Sequence, residues 1–379
     1  MKLREIMTKE FLLDCIKKGM TQREIAEYVN RKYNKNITRS SVWYWLRRVG
    51  LTHGKMRYIY PELDIDNLLK NSGVVKETLE GIRIFKENIK NTLVEQDYVL
   101  HILISDTHAG FVWDRLGYNN YERVLTKRFD KLYNEIVKKI EKMGRPKKIV
   151  INLLGDLVDG DNVYPEQHEF VDTVVLHQVK FMIKTLQNFI INLTKYTDVI
   201  KVFAVAGNHG KIKTARITNW DNFIYLSLQT IFDILNEEYG INVDVVFSER
   251  LLMIYKEEYT GHVFHITHGH LLKKSLLSNI KNLMAELKIR KLTGDVDFDV
   301  FLIGHVHQVR FIALNNRQWF ISNGTMYDSL HFTHEIGYPC TLSVAAFTST
   351  KEKPVEEMFI INLEDKEYFE REPMVNFSG

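Results

Sequence analysis

With 379 residues, 45% of them hydrophobic, the chain can bury a substantial core in one large domain or two ordinary ones. No apolar run is long enough to cross a bilayer, and the opening Met1-Lys2-Leu3-Arg4-Glu5-Ile6 leads into a charged helical pattern without an apolar leader, so a soluble, cytoplasmic protein with no membrane partner is expected. The two cysteines, Cys15 and Cys340, belong to no CxxC cluster, which argues against a disulfide framework or a closed zinc site; both are expected as core thiols.

The net charge of +3 hides an asymmetry. Residues 1–57 hold 14 Lys or Arg against 5 Asp or Glu, a net of +9, which leaves −6 for the rest of the chain. A basic segment of this kind suits a polyanion, most simply nucleic acid, although it can also be a solvated face.

In chain order, residues 8–18 predict a first helix with Phe11, Leu12, Cys15 and Ile16 on one side and Gly19 as its stop. A second starts at Thr21, whose spacing to Glu24 forms a capping box, and runs through Ile25, Ala26 and Val29 to about Lys32. After a turn at residues 34–38 a third helix, about Arg39 to Val49, puts Val42, Leu46 and Val49 inside and presents Ser40, Ser41, Tyr44, Arg47 and Arg48 outside. Three short helices with a basic, hydroxyl-bearing third resemble a helix-turn-helix DNA-binding unit. That resemblance implies DNA contacts from Arg39, Ser40, Ser41, Tyr44, Arg47 and Arg48, with Arg47 and Arg48 on phosphates or guanine edges. The alternative is a trihelical cap for docking or dimerisation, with Trp43 and Trp45 packed. The domain division expected is 1–57 for this basic module, 58–97 for a connector and 98–379 for an α/β domain. Within the connector, a helix at 62–70 and a break at Asn71-Ser72-Gly73 are expected, while 74–96 reads equally as a helix or a strand pair.

The stretch Val99 to Gly110 is an apolar run that stops at Asp106-x-His108, as a buried strand does when it delivers polar groups to its C-terminal end. A helix over Tyr121 to Met143 follows, closed by Gly144 and Pro146, and then a strand from Lys148 that ends at Gly155-Asp156-x-x-Asp159. A helix from about His168 to Leu193 and a strand from Val199 to Ala206 lead to Gly207-Asn208-His209. This alternation is that of βαβ units in a parallel sheet. Beyond a helix at Trp220 to Glu238, short strands at 243–247, 251–257 and 262–267 predict a second sheet facing the first, the last ending in His268-Gly269-His270. A helix at 275–290 precedes a strand from Asp299 to Ile303 and Gly304-His305-x-His307; Gln308–Leu314 and Gln318–Ser322 then form a hairpin turned by Asn315-Asn316.

Five motifs, each at a strand end, stand in the order DxH, GDxxD, GNH, a later His and GHxH. In this the sequence resembles the calcineurin-like metallophosphoesterase superfamily over about residues 98–330. The resemblance implies an αββα-type α/β sandwich, two sheets packed face to face between helices, here preceded by the small all-α helix-turn-helix module. It implies two divalent metal ions: Asp106, His108 and His307 on the first, Asn208, His268 and His305 on the second, and Asp156 bridging. Oxygen and imidazole donors without thiolates suit Mn²⁺ above all, with Fe or Zn²⁺ as alternatives. Two such ions roughly 3.5 to 4 Å apart activate a water and clamp the oxygens of an in-line displacement at phosphorus, so a metal-bound hydroxide is the expected nucleophile. His209 is then expected as general acid or charge stabiliser, with Asp159 orienting its ring, although Asp159 can also be a turn or cap carboxylate. His270 stays open between alternative ligand, supporting group and surface residue. Asn323-Gly324-Thr325 reads as a structural turn.

The superfamily includes protein phosphatases, nucleotide phosphatases, cyclic-nucleotide phosphodiesterases and repair nucleases, so the substrate rests on the basic module. The expectation is a phosphodiesterase, a nuclease or other DNA-processing enzyme with DNA as partner; Lys211, Lys213 and Arg216 are either a local DNA patch or a solvated loop. A phosphomonoesterase acting on a small molecule or nucleotide, or a DNA-binding regulator with an inactive scaffold, are the alternatives. The oligomeric state is open, a homodimer included.

Overall fold

The computed structural model describes residues 3–17, 20, 22–48, 72–111, 121–161, 163, 167, 171, 173–212, 219–272, 297–327 and 340–364. The expected helices at 62–70 and 275–290 lie outside the described residues, as do Thr21, Val49, Lys213 and Arg216. Backbone contacts divide the chain into one unit of Met1–Glu80 with Asp172–Val174 and another of Gly81–Val171 with Val175–Gly379. Among the described residues no helix is long and apolar enough to cross a membrane.

The first unit opens with a short helix α1 (Leu3–Ile6), followed by α2 (Lys9–Lys17), α3 (Gln22–Tyr33) and α4 (Arg39–Arg48). Their apolar spacing closes one core: Leu12 and Cys15 from α2, Ile25, Ala26 and Val29 from α3, and Val42 and Leu46 from α4 are all buried together with Ile37. The turn between α3 and α4 is fixed by Asn30, whose Nδ2 donates to the Ile37 carbonyl at 2.8 Å while its Oδ1 accepts from Ile37 N at 2.7 Å. A reciprocal cap starts α4: Ser41 N donates to Thr38 Oγ1 at 3.3 Å and Thr38 N to Ser41 Oγ at 3.2 Å.

Helix α5 (Ser72–Thr92) makes Ser72 and Gly73 helical where a break at Asn71-Ser72-Gly73 was expected, Asn71 lying outside the described residues. One glycine costs about 1 kcal/mol in a helix, which the other residues of a 21-residue helix outweigh. Strand β1 (Glu95–Ile104) then leads into α6 (Tyr121–Met143), β2 (Arg145–Leu153), α7 (Val175–Leu193), β3 (Ile200–Val205), α8 (Trp220–Tyr239) and β4 (Val243–Ser248). Helix α7 starts seven residues later than the periodicity from His168 suggests, because Val171 is bridged to Phe111 in extended conformation.

Strands β1 to β4 pair in parallel in a six-stranded sheet of order β11-β10-β1-β2-β3-β4. Two C-terminal strands that the sequence reading did not single out, β10 (Ser343–Ser349) and β11 (Met358–Asn362), complete it antiparallel beyond β1. Strand β4 belongs here too, not to the second sheet, because α8 returns it beside β3 as a right-handed βαβ crossover requires. The second sheet has five strands in the order β5-β6-β7-β9-β8, from β5 (Leu252–Lys256), β6 (Val263–Thr267), β7 (Val300–Ile303), β8 (Arg310–Ala313) and β9 (Trp319–Ser322), with β8 and β9 forming the expected hairpin.

The two sheets share one core: Val99, Leu103, Val150, Leu154 and Val205 of the first pack with Tyr255, Phe264, Ile266, Val300, Leu302 and Ile321 of the second. The register also aligns the strand ends. Ile104 pairs with Leu153 and Leu153 with Ala204, while Thr267 pairs with Ile303 and Ile303 with Ser322. All six chains therefore leave their sheets side by side, at the edge where parallel sheets place ligands.

Candidate metal centre

The segments that leave those strand ends are locked to one another. Asp106 N donates to the Gly155 carbonyl at 3.0 Å, His108 N to the Asp156 carbonyl at 3.1 Å, and Asp159 N to the Ala109 carbonyl at 3.0 Å. Across the sheets, the Asp106 carboxylate accepts the His305 amide at 3.0 and 3.2 Å. Gly304 must be glycine here, since a Cβ would lie 2.9 Å from Asp106 Oδ2. Asp106, His108, Asp156, His305 and His307 all take left-handed φ values between 44° and 65°. Non-glycine residues rarely adopt that conformation, and its concentration here marks a site whose geometry is set by the surrounding loops.

The side chains meet in three groups, within each of which one potential ligand atom per residue lies within 4.8 Å of the others: Asp106, His108 and His307; Asp156, His268 and His305; and, between them, His108, Asp156 and His209. His307 Nε2 lies 3.1 Å from Asp106 Oδ1, and His268 Nε2 lies 2.9 Å from Asp156 Oδ2. Asn208 is buried at the end of β3, as the GNH motif places it. His270 stays close to this group, its ring 5.6 Å from that of His268 and 6.2 Å from that of His305.

These groups fit a pair of divalent ions. His108 turns Nδ1 outward to Asp159 Oδ1 at 2.9 Å, and His268 turns Nδ1 to the Leu154 carbonyl at 2.7 Å. His108 Nε2 is thereby left buried without a hydrogen-bond partner, and His268 Nε2 is turned to the Asp156 carboxylate. An imidazole anchored through one nitrogen with the other aimed at a carboxylate cluster is how metal-binding histidines are held. Two carboxylates as buried as Asp106 and Asp156 also need compensating positive charge.

Without ions that charge comes from imidazolium groups. Burial opposes ionisation of Asp106, but His307 outweighs it and holds the acid down to about 2. Burial works in the same way against Asp156, which His268 and His209 hold well below the usual carboxylate range. The histidines respond in kind. Burial lowers all of them, but Asp156 carries His268 up to about 9 and Asp106 carries His307 up to about 10. His305 and His270, half-buried beside the charged His268, fall to about 4.

His209 stands beside this cluster. Its Nδ1 lies 3.0 Å from Asp159 Oδ1, the same oxygen that accepts His108 Nδ1, and its backbone amide donates to Asp156 Oδ1 at 2.7 Å. Burial lowers its pKa, and Asp156 with Asp159 outweighs that to hold it at about 9. Asp159 thus orients two imidazoles, where the sequence suggested one.

Further supporting residues carried no sequence motif. Gln167 donates through Nε2 to Asp159 Oδ2 at 3.2 Å. Asn219 and Asp221 at the start of α8 bond the loops after β2 and β3, and only the Asn219 side-chain cap had a recognisable signal. Cys340 is half-buried and not a core thiol; its Sγ lies 3.8 Å from His307 Nδ1, at the rim of the site. Cys15 is buried in the helical unit as expected. Thr325 donates to the Asp106 carbonyl at 2.8 Å and Asn323 to Ser105 Oγ at 3.0 Å, a structural role for that turn.

On α4, Ser40, Tyr44 and Arg48 are exposed, Tyr44 by 52%. Arg48 donates to the Tyr44 hydroxyl at 3.1 Å and lies over the Trp45 ring, whereas Ser41 is engaged in the cap and Arg39 is half-buried. The side chains of Trp43 and Arg47 lie outside the described set. Lys211 is exposed in the loop after β3.

Two α/β sheets whose strand ends bring buried carboxylates and imidazoles together define a protein with a candidate dinuclear metal site. Residues 101–309, more than half of the chain, match the calcineurin-like phosphoesterase family, and the chain belongs to it. The family binds two divalent metals and hydrolyses phosphoesters. No curated protein matches the sequence. Among solved structures, Vps29 of Entamoeba histolytica, complexed with Zn²⁺, is 11% identical and covers 70% of this chain and 99% of its own, with a TM-score of 0.29. Vps29 of Chaetomium thermophilum is 12% identical over 70% of this chain and 100% of its own, at 0.27. A 5'-nucleotidase of Candida albicans is 10% identical over 73% of this chain and 56% of its own, at 0.30.

Proposed function

We propose that the chain is a dinuclear-metal phosphodiesterase, a nuclease or other DNA-processing enzyme, with residues 1–57 as its DNA-binding module and 98–379 as its catalytic domain. The observation that carries the hydrolytic reading is the pair of carboxylate–imidazole groups, Asp106 with His108 and His307 and Asp156 with His268 and His305, with His209 beside them. Asp106, His108 and His307 would hold one ion and Asn208, His268 and His305 the other, with Asp156 between them. Mn²⁺ is the ion proposed for this oxygen and imidazole set. When bound, such ions acidify a water and offset charge on the phosphoryl oxygens.

The remaining steps belong to the protein. In the metal-free chain His209 is held at about 9, and its Nδ1 is tied to Asp159, so the proton it can pass to the departing oxygen is one carried on Nε2. Asp159 holds a proton on Nδ1 of both His209 and His108, and Gln167 steadies the carboxylate.

The preference for DNA rests on the net charge of +9 in residues 1–57 and on the exposed Ser40, Tyr44 and Arg48 of α4, the third helix of a helix-turn-helix in this reading. A tethered DNA-binding unit raises the local concentration of phosphodiesters at the site. Purified protein with Mn²⁺ should hydrolyse bis-p-nitrophenyl phosphate and nick or degrade DNA. Turnover of p-nitrophenyl phosphate alone would favour the phosphomonoesterase. DNA binding that survives His209→Ala, with no phosphoester cut under any divalent metal, would favour the regulator.

A further inference from the structure

Asp221 is fully buried at the first turn of α8, and both of its oxygens face backbone amides. Oδ2 accepts from Asp156 N at 3.0 Å and from Gly207 N at 2.8 Å, while Oδ1 accepts from Leu157 N at 3.1 Å. These three amides lie in the loops after β2 and β3, the loops that carry Asp156 and Asn208.

The β2–β3 ladder ends at Leu153 and Ala204, so it does not hold the loops together beyond that point. They nevertheless run in backbone contact: a Cβ on Gly207 would lie 2.1 Å from Asp156 Oδ1, and one on Gly155 would lie 2.3 Å from Gly207 N. Two chains this close, with their amides turned the same way, need an acceptor that serves both, because a buried N–H without one is costly. An ionised carboxylate offers about four lone-pair sites and satisfies all three donors. Its position is fixed in turn by the N-cap. Asn219 Oδ1 accepts Asp221 N at 2.8 Å, and Asn219 Nδ2 donates to the Gly207 carbonyl at 2.8 Å. The start of α8 thus holds Gly207 through both its amide and its carbonyl.

We infer that Asp221 is a positioning residue that sets the placement of Asp156 relative to Asn208, and through it the affinity and spacing of the two ions. The inference rests on the metal reading of that site. Asp221 touches no reacting atom; it acts through the loops.

The test uses the full-length protein stripped with EDTA and titrated with Mn²⁺ by calorimetry and by electron paramagnetic resonance. Asp221→Asn keeps the side-chain volume but turns an NH₂ group towards at least one backbone N–H. One of the two Mn²⁺ steps should weaken by about tenfold or more, as loss of a supporting partner does elsewhere. The exchange-coupled signal of a Mn²⁺ pair at two equivalents should also fall, while circular dichroism stays that of the folded protein. A purely structural residue would lower thermal stability and leave the coupled signal of the folded protein unchanged. Asn219→Ser, which retains a cap oxygen and loses the donor to Gly207, should weaken the same step by less, and it decides the matter if Asp221→Asn does not fold. Wild-type affinities and coupling in a folded Asp221→Asn variant, or in Asn219→Ser where that variant does not fold, would overturn the inference and leave the metal reading intact. Absence of a Mn²⁺ pair in the wild type would overturn both.

Discussion

Asp159→Asn should separate two functions that one oxygen performs. Asp159 Oδ1 accepts from His108 Nδ1 at 2.9 Å and from His209 Nδ1 at 3.0 Å. The amide keeps the shape and removes the charge. For His209, held at about 9 by Asp156 and Asp159 against its burial, loss of one of the two carboxylates should lower the pKa by about one unit or more, or about 1.4 kcal/mol of imidazolium stabilisation. Bound ions lower the starting value in wild type and variant alike, so the predicted quantity is the displacement. The alkaline limb of kcat/KM for bis-p-nitrophenyl phosphate, measured at saturating Mn²⁺, should move to lower pH by that amount. For His108, loss of the carboxylate partner should weaken Mn²⁺ binding by about 10-fold to 100-fold. A variant with the wild-type limb and the wild-type Mn²⁺ affinity would refute the role given to Asp159.

Other consequences follow from the same geometry. In the metal-free chain His268 is held at about 9 and His307 at about 10, so both are protonated at pH 7 and must lose protons to bind metal. Mn²⁺ binding should therefore release protons, tighten as pH rises towards 9 and show a calorimetric enthalpy that depends on the buffer; a buffer-independent enthalpy would contradict this. Because these folded-state values are raised, their contribution to metal-free stability is fully present below about pH 6.5 and lost as pH rises through about 9 to 10. The melting temperature in EDTA should fall over that window. Gly207→Ala places a Cβ 2.1 Å from Asp156 Oδ1 and should cost bound metal, read as ions per chain in the folded protein. Deleting residues 1–57 should weaken DNA binding and flatten its salt dependence while leaving bis-p-nitrophenyl phosphate turnover intact; an unchanged salt slope would detach that module from nucleic acid.

The strand ends were legible because the C-terminal parts of β1 and β2 are buried on both faces and β3 ends in buried residues, so their apolar runs stop abruptly where polar groups begin. That boundary placed Asp106, Asp156 and Asn208 correctly at the ends of neighbouring strands. Sheet membership was harder to read. β4 looks like one of a series of short strands, and only the crossover through α8 assigns it to the first sheet. β10, Ser343 to Ser349, is buried at every position and carries Ser and Ala among its apolar residues, so it shows neither alternation nor a strong apolar run. Asp159 was read as a partner of His209 alone, because a linear motif does not show that His108 shares the same oxygen. Asp221 and Cys340 lie far in sequence from the residues they support, and no spacing rule connects them.

The proposed activity depends on a pair of ions held by the strand-end carboxylates and imidazoles, with His209 acting beside them. Metal content per chain, measured together with phosphodiester turnover for wild type, His209→Ala and Asp156→Ala, tests it most directly. Two ions are expected in wild type and in His209→Ala, with turnover severely reduced in the latter, and loss of bound metal in Asp156→Ala. Equal metal loss in both variants, or a wild-type protein that binds no ion pair, would contradict it.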